Sequence, residues 1–195
     1  MAEQAGQRID LARVVAAAEA QPPRPDPVLA SYGACLGFFA EQFGDWHFED
    51  AQLACLMISG RLGRCYRLDV ADEAAALALL DTFQALETTE EVITEGLWNR
   101  LLVTLGDDVE QASWLAHFLQ PERYAPFDPR SFALLDGAAA RVRHVSWLHY
   151  LRYCEALREL SHSLQAVRLA RLLRSQAPDI GRLAALQYFM SRWRE

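Results

Sequence analysis

The chain reads as an all-α protein, a multi-helix orthogonal bundle, on three observations. Apolar residues recur at helical spacing along most of its 195 residues, no stretch alternates at convincing length as a strand would, and 52% hydrophobic content supplies ample core for one domain. Ile9, Leu11, Ala12, Val14, Val15 and Ala18 form a first short stripe, which Gln21-Pro22-Pro23-Arg24-Pro25-Asp26-Pro27 interrupts. Such a proline run favours extended backbone. Residues 1–20 are therefore expected to form a helical arm packed on the body rather than part of its core, 21–27 a linker, and 28–195 a single helical domain. Within it, Leu29, Tyr32, Leu36, Phe39 and Phe43 share helical spacing, and a second helix fits 48–59 with Asp45 as its cap before Trp46. An Ala/Leu-rich helix runs from Asp72 to Phe83, and another covers 88–105, opened by Thr88-Thr89-Glu90-Glu91 as cap and first-turn acids. Helices over 108–119, 129–135, 145–160, 163–175 and 178–193 bring the total to about ten.

Composition removes several function classes. Lysine is absent and all 19 basic residues are arginine, so Schiff-base lyases, pyridoxal phosphate enzymes and P-loop phosphate binding through a lysine are excluded. Cys35, Cys55, Cys65 and Cys154 stand far apart, which points to reduced, mostly buried thiols rather than a zinc site or a disulfide framework. His117 lies between Ala116 and Phe118 and reads as a core histidine, while His144 and His149, five apart, do not share a helix face for metal binding. No metal or other cofactor is expected. The longest aliphatic stretch, near Ala74 to Leu80, is far short of the roughly 18 to 20 residues that cross a bilayer, and Met1-Ala2-Glu3-Gln4 lacks a signal pattern. A cytoplasmic protein with no membrane partner is the expectation.

Charge is unevenly distributed. Residues 1–140 hold 9 arginines against 22 acids, and residues 141–195 hold 10 against 4. The basic C-terminal segment, with Arg168, Arg171 and Arg174 along one amphipathic helix, either faces phosphates or lies against the acidic body; an overall charge of −7 favours the second. Gly60-Arg61-Leu62-Gly63-Arg64-Cys65-Tyr66-Arg67 has two readings as well, a phosphate-contacting turn or a solvated loop. Trp98 and Trp114 read as core anchors that could also line a pocket.

The most informative stretch runs from Leu105 to Arg130: Leu105-Gly106-Asp107-Asp108, Ala112, His117-Phe118-Leu119, Pro121-Glu122-Arg123-Tyr124 and Pro126-Phe127-Asp128-Pro129-Arg130. It resembles the helix-hairpin-helix DNA glycosylase superfamily, particularly its small 8-oxoguanine-glycosylase-like bacterial members, with looser similarity over about residues 70–175. The resemblance puts Gly106 at the first hairpin glycine and Asp128 at the catalytic aspartate. It implies a carboxylate that stabilises positive charge on a sugar as an N-glycosidic bond breaks, and a hairpin whose backbone N–H groups grip a DNA phosphate. Two departures follow. Asp108 stands where the second hairpin glycine is expected, so two carboxylates would occupy the helix dipole and repel a phosphate; the bifunctional members' lysine falls near Glu110, which excludes a lysine-dependent lyase step.

Asp128 before Pro129 is also a favoured N-cap, and one carboxylate can both cap a helix and face a cleft. Arg130 would contact a phosphate or pair with a nearby acid. Three functions remain open: a diverged glycosylase-like domain with lost or weakened base excision and residual nucleic-acid or partner binding; an active monofunctional glycosylase using Asp128, with DNA held by Arg61, Arg64 or the C-terminal arginines; and a helical module that binds an unknown protein and never touches DNA.

Overall fold

Two helices are buried on every side, and the rest of the chain is arranged around them. A computed structural model describes residues 9–63, 73–89, 92–136 and 145–193, and among these it is all-helical. The helices are α1 (Leu11–Ala20), the single turn α2 (Pro27–Ala30), α3 (Tyr32–Glu41), α4 (Phe48–Arg61), α5 (Glu73–Thr88), α6 (Glu95–Thr104), α7 (Val109–Leu119), α8 (Pro129–Asp136), α9 (Trp147–Ser161), α10 (Leu164–Leu173) and α11 (Arg182–Arg192). Residues 111–119 of α7 and 183–191 of α11 are all buried. α3, α4, α5 and α6 pack on α7, whereas α8, α9, α10 and α1 pack on α11. The molecule is thus two clusters of helices, each about its own hydrophobic axis.

The arm is more than a passenger. Leu11, Val14, Val15 and Ala18 of α1 are buried in the same core cluster as the rest of the chain, so its helix belongs to the core that the sequence reading left it outside. Asp10 starts α1 by accepting from the Ala12 and Arg13 N–H groups. Arg168 on α10 grips Glu19 at 2.6 Å, and Arg192 on α11 grips Asp26 at 2.6 Å. Two arginines of the basic C-terminal segment are therefore neutralised against the N-terminal acids. Arg171 and Arg174 remain exposed.

Several element boundaries differ from the sequence expectation. Asp45 does not cap a helix: α4 starts at Phe48 as expected but with His47 as its N-cap, and Glu87 accepts from Trp46 Nε1 and from the Gly44 N–H, both at 2.9 Å, which holds Trp46 in the core. Phe43, expected on a helix face, lies beyond α3 and is 62% exposed. The helix expected over 88–105 is two pieces. Thr88 ends α5, and Thr94 caps α6 by accepting from Leu97 N–H. Between them Ile93 is fully buried, its N–H donating to Tyr124 Oη at 2.8 Å and its carbonyl accepting from Trp147 Nε1 at 2.7 Å. These tertiary bonds satisfy a non-helical backbone that helical periodicity could not foresee. Likewise α11 starts at Arg182 with Gly181 as N-cap, after a turn that buries Ala177 and Ile180, rather than at Pro178. The expected start at Asp72 lies outside the described residues.

Candidate functional site: the Asp128 pocket

The segment 120–128 joins α7 to α8, and buried side chains hold its backbone. His117 Nδ1 bonds the Tyr124 carbonyl at 2.7 Å, Tyr150 Oη donates to the Ala125 carbonyl at 3.1 Å, and Tyr153 Oη donates to the Pro126 carbonyl at 2.9 Å. From the other direction, the Phe127 N–H donates to Ser113 Oγ at 2.7 Å and the Ala125 N–H to Cys154 Sγ at 3.5 Å. Because a carbonyl can only accept, Nδ1 of His117 carries the proton, and its Nε2 accepts from Tyr32 Oη at 2.8 Å. His117 is thus a neutral core histidine, as its apolar setting implied. Burial drops its pKa to about 4, against the opposing pull of the Tyr124 carbonyl. Burial likewise pushes Tyr32 up to about 12 and Cys154 up to about 11. None of these groups is poised to exchange a proton near neutrality. Their part is to fix the loop that ends in Asp128.

Asp128 is the N-cap of α8. Its Oδ1 accepts from the Arg130 and Ser131 N–H groups, each at 2.9 Å, while the Ser131 hydroxyl lies 3.2 Å from Oδ1 and 3.3 Å from the Gln187 carbonyl, sharing one proton between them. Oδ2 has no hydrogen-bond partner among the described residues. The carboxylate lines a partly open cavity of about 140 Å³ at the seam between the two helix clusters. Arg61, Glu110 and Trp114 form the wall from the α7 side; Gln187, Tyr188 and Arg192 form it from α11. A cleft at such a seam, mostly apolar with a few convergent polar groups, is the usual form of a small-molecule site.

Arg61 enters this pocket instead of reaching into solvent. It is the last residue of α4, and its guanidinium carbon sits 4.4 Å from the Trp114 ring centroid and 5.6 Å from those of Tyr32 and Phe118. Nη1 donates to Ser31 Oγ at 2.8 Å, while Nε and Nη2 are buried with no nitrogen or oxygen partner among the described residues, and the Cys35 thiol lies beside the guanidinium. Aromatic faces are what compensate the buried charge. Burial lowers the Arg61 pKa from its ordinary value, with Cys35 and Tyr32 acting the other way, and the group stays a cation. At the far side, Arg192 lies 3.7 Å over the Tyr188 ring and ties the pocket to Asp26.

Sequence reasoning and structure meet unevenly here. Asp128 and Arg61 come together in one cavity. Glu110, the position matched to a family lysine, lines it too. Gly106 does not: it sits in the turn between α6 and α7 with φ +67°, where the Gly106 N–H donates to the Val103 carbonyl and the Asp107 N–H to the Leu102 carbonyl, closing α6 in a Schellman motif. Asp107 follows at φ +61°, and Asp108 then caps α7 by accepting from the Gln111 N–H at 3.1 Å. Arg130 is exposed and makes no ion pair among the described residues. Arg64 lies outside the described residues.

Trp114 does line the pocket, whereas Trp98 is fully buried and stacked on Tyr150 at 4.3 Å. Gln187, Tyr188 and Arg192 escaped the sequence reading. Gln187 had one visible signal, being the sole strongly polar residue within Leu183-Ala184-Ala185-Leu186-Gln187-Tyr188-Phe189-Met190. Among the described residues no group of His, Cys, Asp and Glu is placed to hold a metal ion, and no helix is long and apolar enough to cross a membrane. No protein-family model, curated protein or solved structure matches the chain.

Proposed function

We propose that the protein is a diverged helix-hairpin-helix glycosylase-like domain that keeps a base-sized pocket at Asp128 and has lost or weakened the hairpin's grip on DNA. The observation that carries this reading is the joint position of two features. Glu110, in the first turn of α7, lines the same cavity as Asp128, so the α6–α7 hairpin and the carboxylate pocket adjoin. The N-terminus of α7 is already occupied by the Asp108 cap, with Asp107 beside it, which disfavours a phosphate at that helix end.

A second reading, an active monofunctional glycosylase, is favoured by one specific feature: Asp128 caps α8 through Oδ1 alone. Its Oδ2 could stabilise the cation formed at the sugar as the C–N bond breaks with its electron pair leaving on the base, after which water adds to the sugar carbon and its proton goes to solvent or base. Base release from duplexes carrying oxidised, deaminated or alkylated bases separates the readings. Release abolished in Asp128→Asn supports the enzyme. No release from any lesion, with weak binding that falls steeply with salt, supports the diverged domain. Absence of any DNA binding at low salt defeats both and leaves a protein-binding helical module.

A further inference from the structure

Asp26 fastens the proline-rich segment to both walls of the Asp128 pocket. Its N–H donates to Gln176 Oε1 at 2.9 Å, its Oδ1 accepts from the Val28 N–H at 2.8 Å to start α2, and its Oδ2 accepts from Arg192 Nη2 at 2.6 Å. Val28 and Leu29 of α2 line the pocket on one side, and Tyr188 and Arg192 of α11 line it on the other. The residue that ends α2 reaches the pocket's buried cation as well: the Ser31 hydroxyl donates to the Val28 carbonyl at 3.2 Å and accepts from Arg61 Nη1 at 2.8 Å. One carboxylate thus holds the turn that Arg61 leans on and the arginine that faces it.

The segment that Asp26 fastens is weakly held elsewhere. Four of the seven residues 21–27 are proline and have no N–H to donate. Gln176 Nε2 holds the Pro23 carbonyl at 3.1 Å, α2 is a single turn that packs mainly on α3, and Leu29 is the one buried residue between 21 and 31. On either side the chain is anchored, by Leu11, Val14, Val15 and Ala18 in α1 and by Tyr32, Cys35 and Phe39 in α3. Local opening concentrates in a stretch with few buried contacts. Tyr188 and Arg192 also border an open groove between α1 and the proline-rich segment, so these two side chains stand between that groove and the Asp128 pocket.

We propose that residues 21–31 are a gate on the Asp128 pocket and that the Asp26–Arg192 ion pair is its latch. Breaking the pair releases Arg192 from the segment, lets α2 lift from the pocket wall, and joins the pocket to the groove beside α1. The latch is accessible enough to respond to its surroundings: the Arg192 side chain is 48% exposed and that of Asp26 16%, so dissolved ions screen the pair. The gate goes beyond the glycosylase-like reading and does not depend on it, since it sets how a ligand of any kind enters.

The test is native-state thiol labelling of the full chain with iodoacetamide, read cysteine by cysteine by mass spectrometry. Cys35 is 3% exposed and lies one turn beyond Tyr32, beside the Arg61 guanidinium; Cys154 is 5% exposed, lies in α9 and serves as the control for wider unfolding. Asp26→Asn retains a residue that caps α2 and removes the latch. Cys35 then labels about fivefold faster or more while Cys154 is unchanged. Arg192→Gln gives the same result and stands in if the first variant does not fold. In the wild type, raising salt from about 50 to 500 mM speeds Cys35, and in Asp26→Asn it does not. A thiol placed on the pocket's other wall by Gln187→Cys speeds up together with Cys35 when the latch is removed. Equal acceleration of Cys35 and Cys154, unchanged Cys35 labelling in both latch variants, the same salt response with and without the latch, or a thiol at position 187 that stays protected while Cys35 reacts overturns the proposal.

Discussion

Two of the connections that enter a helix through an aspartate N-cap, those before α7 and α8, are held by opposite means. The turn before α7 closes on itself: Gly106 and Asp107, both at positive φ, return their N–H groups to α6 carbonyls, and the half-buried Asp108 accepts from the Gln111 N–H. The segment before α8 hardly bonds to itself over residues 124–127. Its carbonyls and N–H groups are met instead by His117, Ser113, Tyr150, Tyr153 and Cys154, from helices on both sides of the molecule. A self-closed turn tolerates change, because its geometry needs little from the rest of the fold. A turn held by a buried network has one position, and that makes its terminal carboxylate a better candidate for chemistry or recognition than its twin.

The largest effect should come from breaking that network at its centre. His117→Ala leaves the Tyr124 carbonyl and the Tyr32 hydroxyl without their partner and opens a void, at a cost of about 3 to 5 kcal/mol by urea denaturation. Acid should achieve much of the same without mutation. The folded-state value of about 4 lies below the ordinary 6.5, so between these values the unfolded chain holds a proton that the folded one excludes. The stability tied to neutral His117 is fully present above about pH 6.5 and is lost as pH falls toward 4, by roughly 3 kcal/mol. Urea midpoints for the wild type and His117→Gln, taken across that window, should converge as pH drops; a constant gap would mean that His117 does not carry the loss.

Tyr150→Phe and Tyr153→Phe each strand one buried carbonyl and should cost about 1 to 3 kcal/mol. The Tyr153 change reports directly on the Asp128 loop, because its hydroxyl holds Pro126 two residues upstream. If the buried network is what positions Asp128, ligand binding in the pocket should weaken in Tyr153→Phe under conditions where the protein is still folded. Smaller again is the cap itself: Asp128→Ala and Asp108→Ala should each cost about 1 kcal/mol, whereas Asp128→Asn, which still caps, should be nearly neutral for stability. A pocket role for Asp128 is then visible as a loss of binding or base release without a loss of fold.

How much of this could be read in the sequence follows from the same contrast. The Asp128 cap was legible, since Asp-Pro before a helical stripe is a local signal with a local cause, whereas Asp108 was read only as a charge at its helix's N-terminus. Most helices were legible by period as well. What escaped was set by distant partners. Ile93 breaks a helix-like run because Tyr124 and Trp147 claim its backbone from 31 and 54 residues away. Arg61, in an Arg/Gly-rich stretch that resembles a surface loop, turns inward because Trp114, Tyr32 and Phe118 provide a face for its charge. Gln187 is polar in an apolar run, but only the docking of α11 beside the α8 cap shows that it lines a cavity.

The smallest structural change carries the sharpest comparison between the two turns. Replacing Asp108 by glycine restores the residue that the glycosylase resemblance expects there and keeps a serviceable N-cap. Asn at 107 keeps a residue that tolerates positive φ and removes the second charge. With both carboxylates gone, the N-terminus of α7 should regain its attraction for a phosphate. Duplex affinity at about 50 mM salt should then rise, with a log–log salt slope steeper by roughly 0.9, one added phosphate contact. The same pair of substitutions should leave the Asp128 pocket unchanged, since neither residue lines it. Unaltered DNA affinity in the double variant would mean that the hairpin never served as a phosphate grip, and the contrast between the two aspartates would then reflect packing alone.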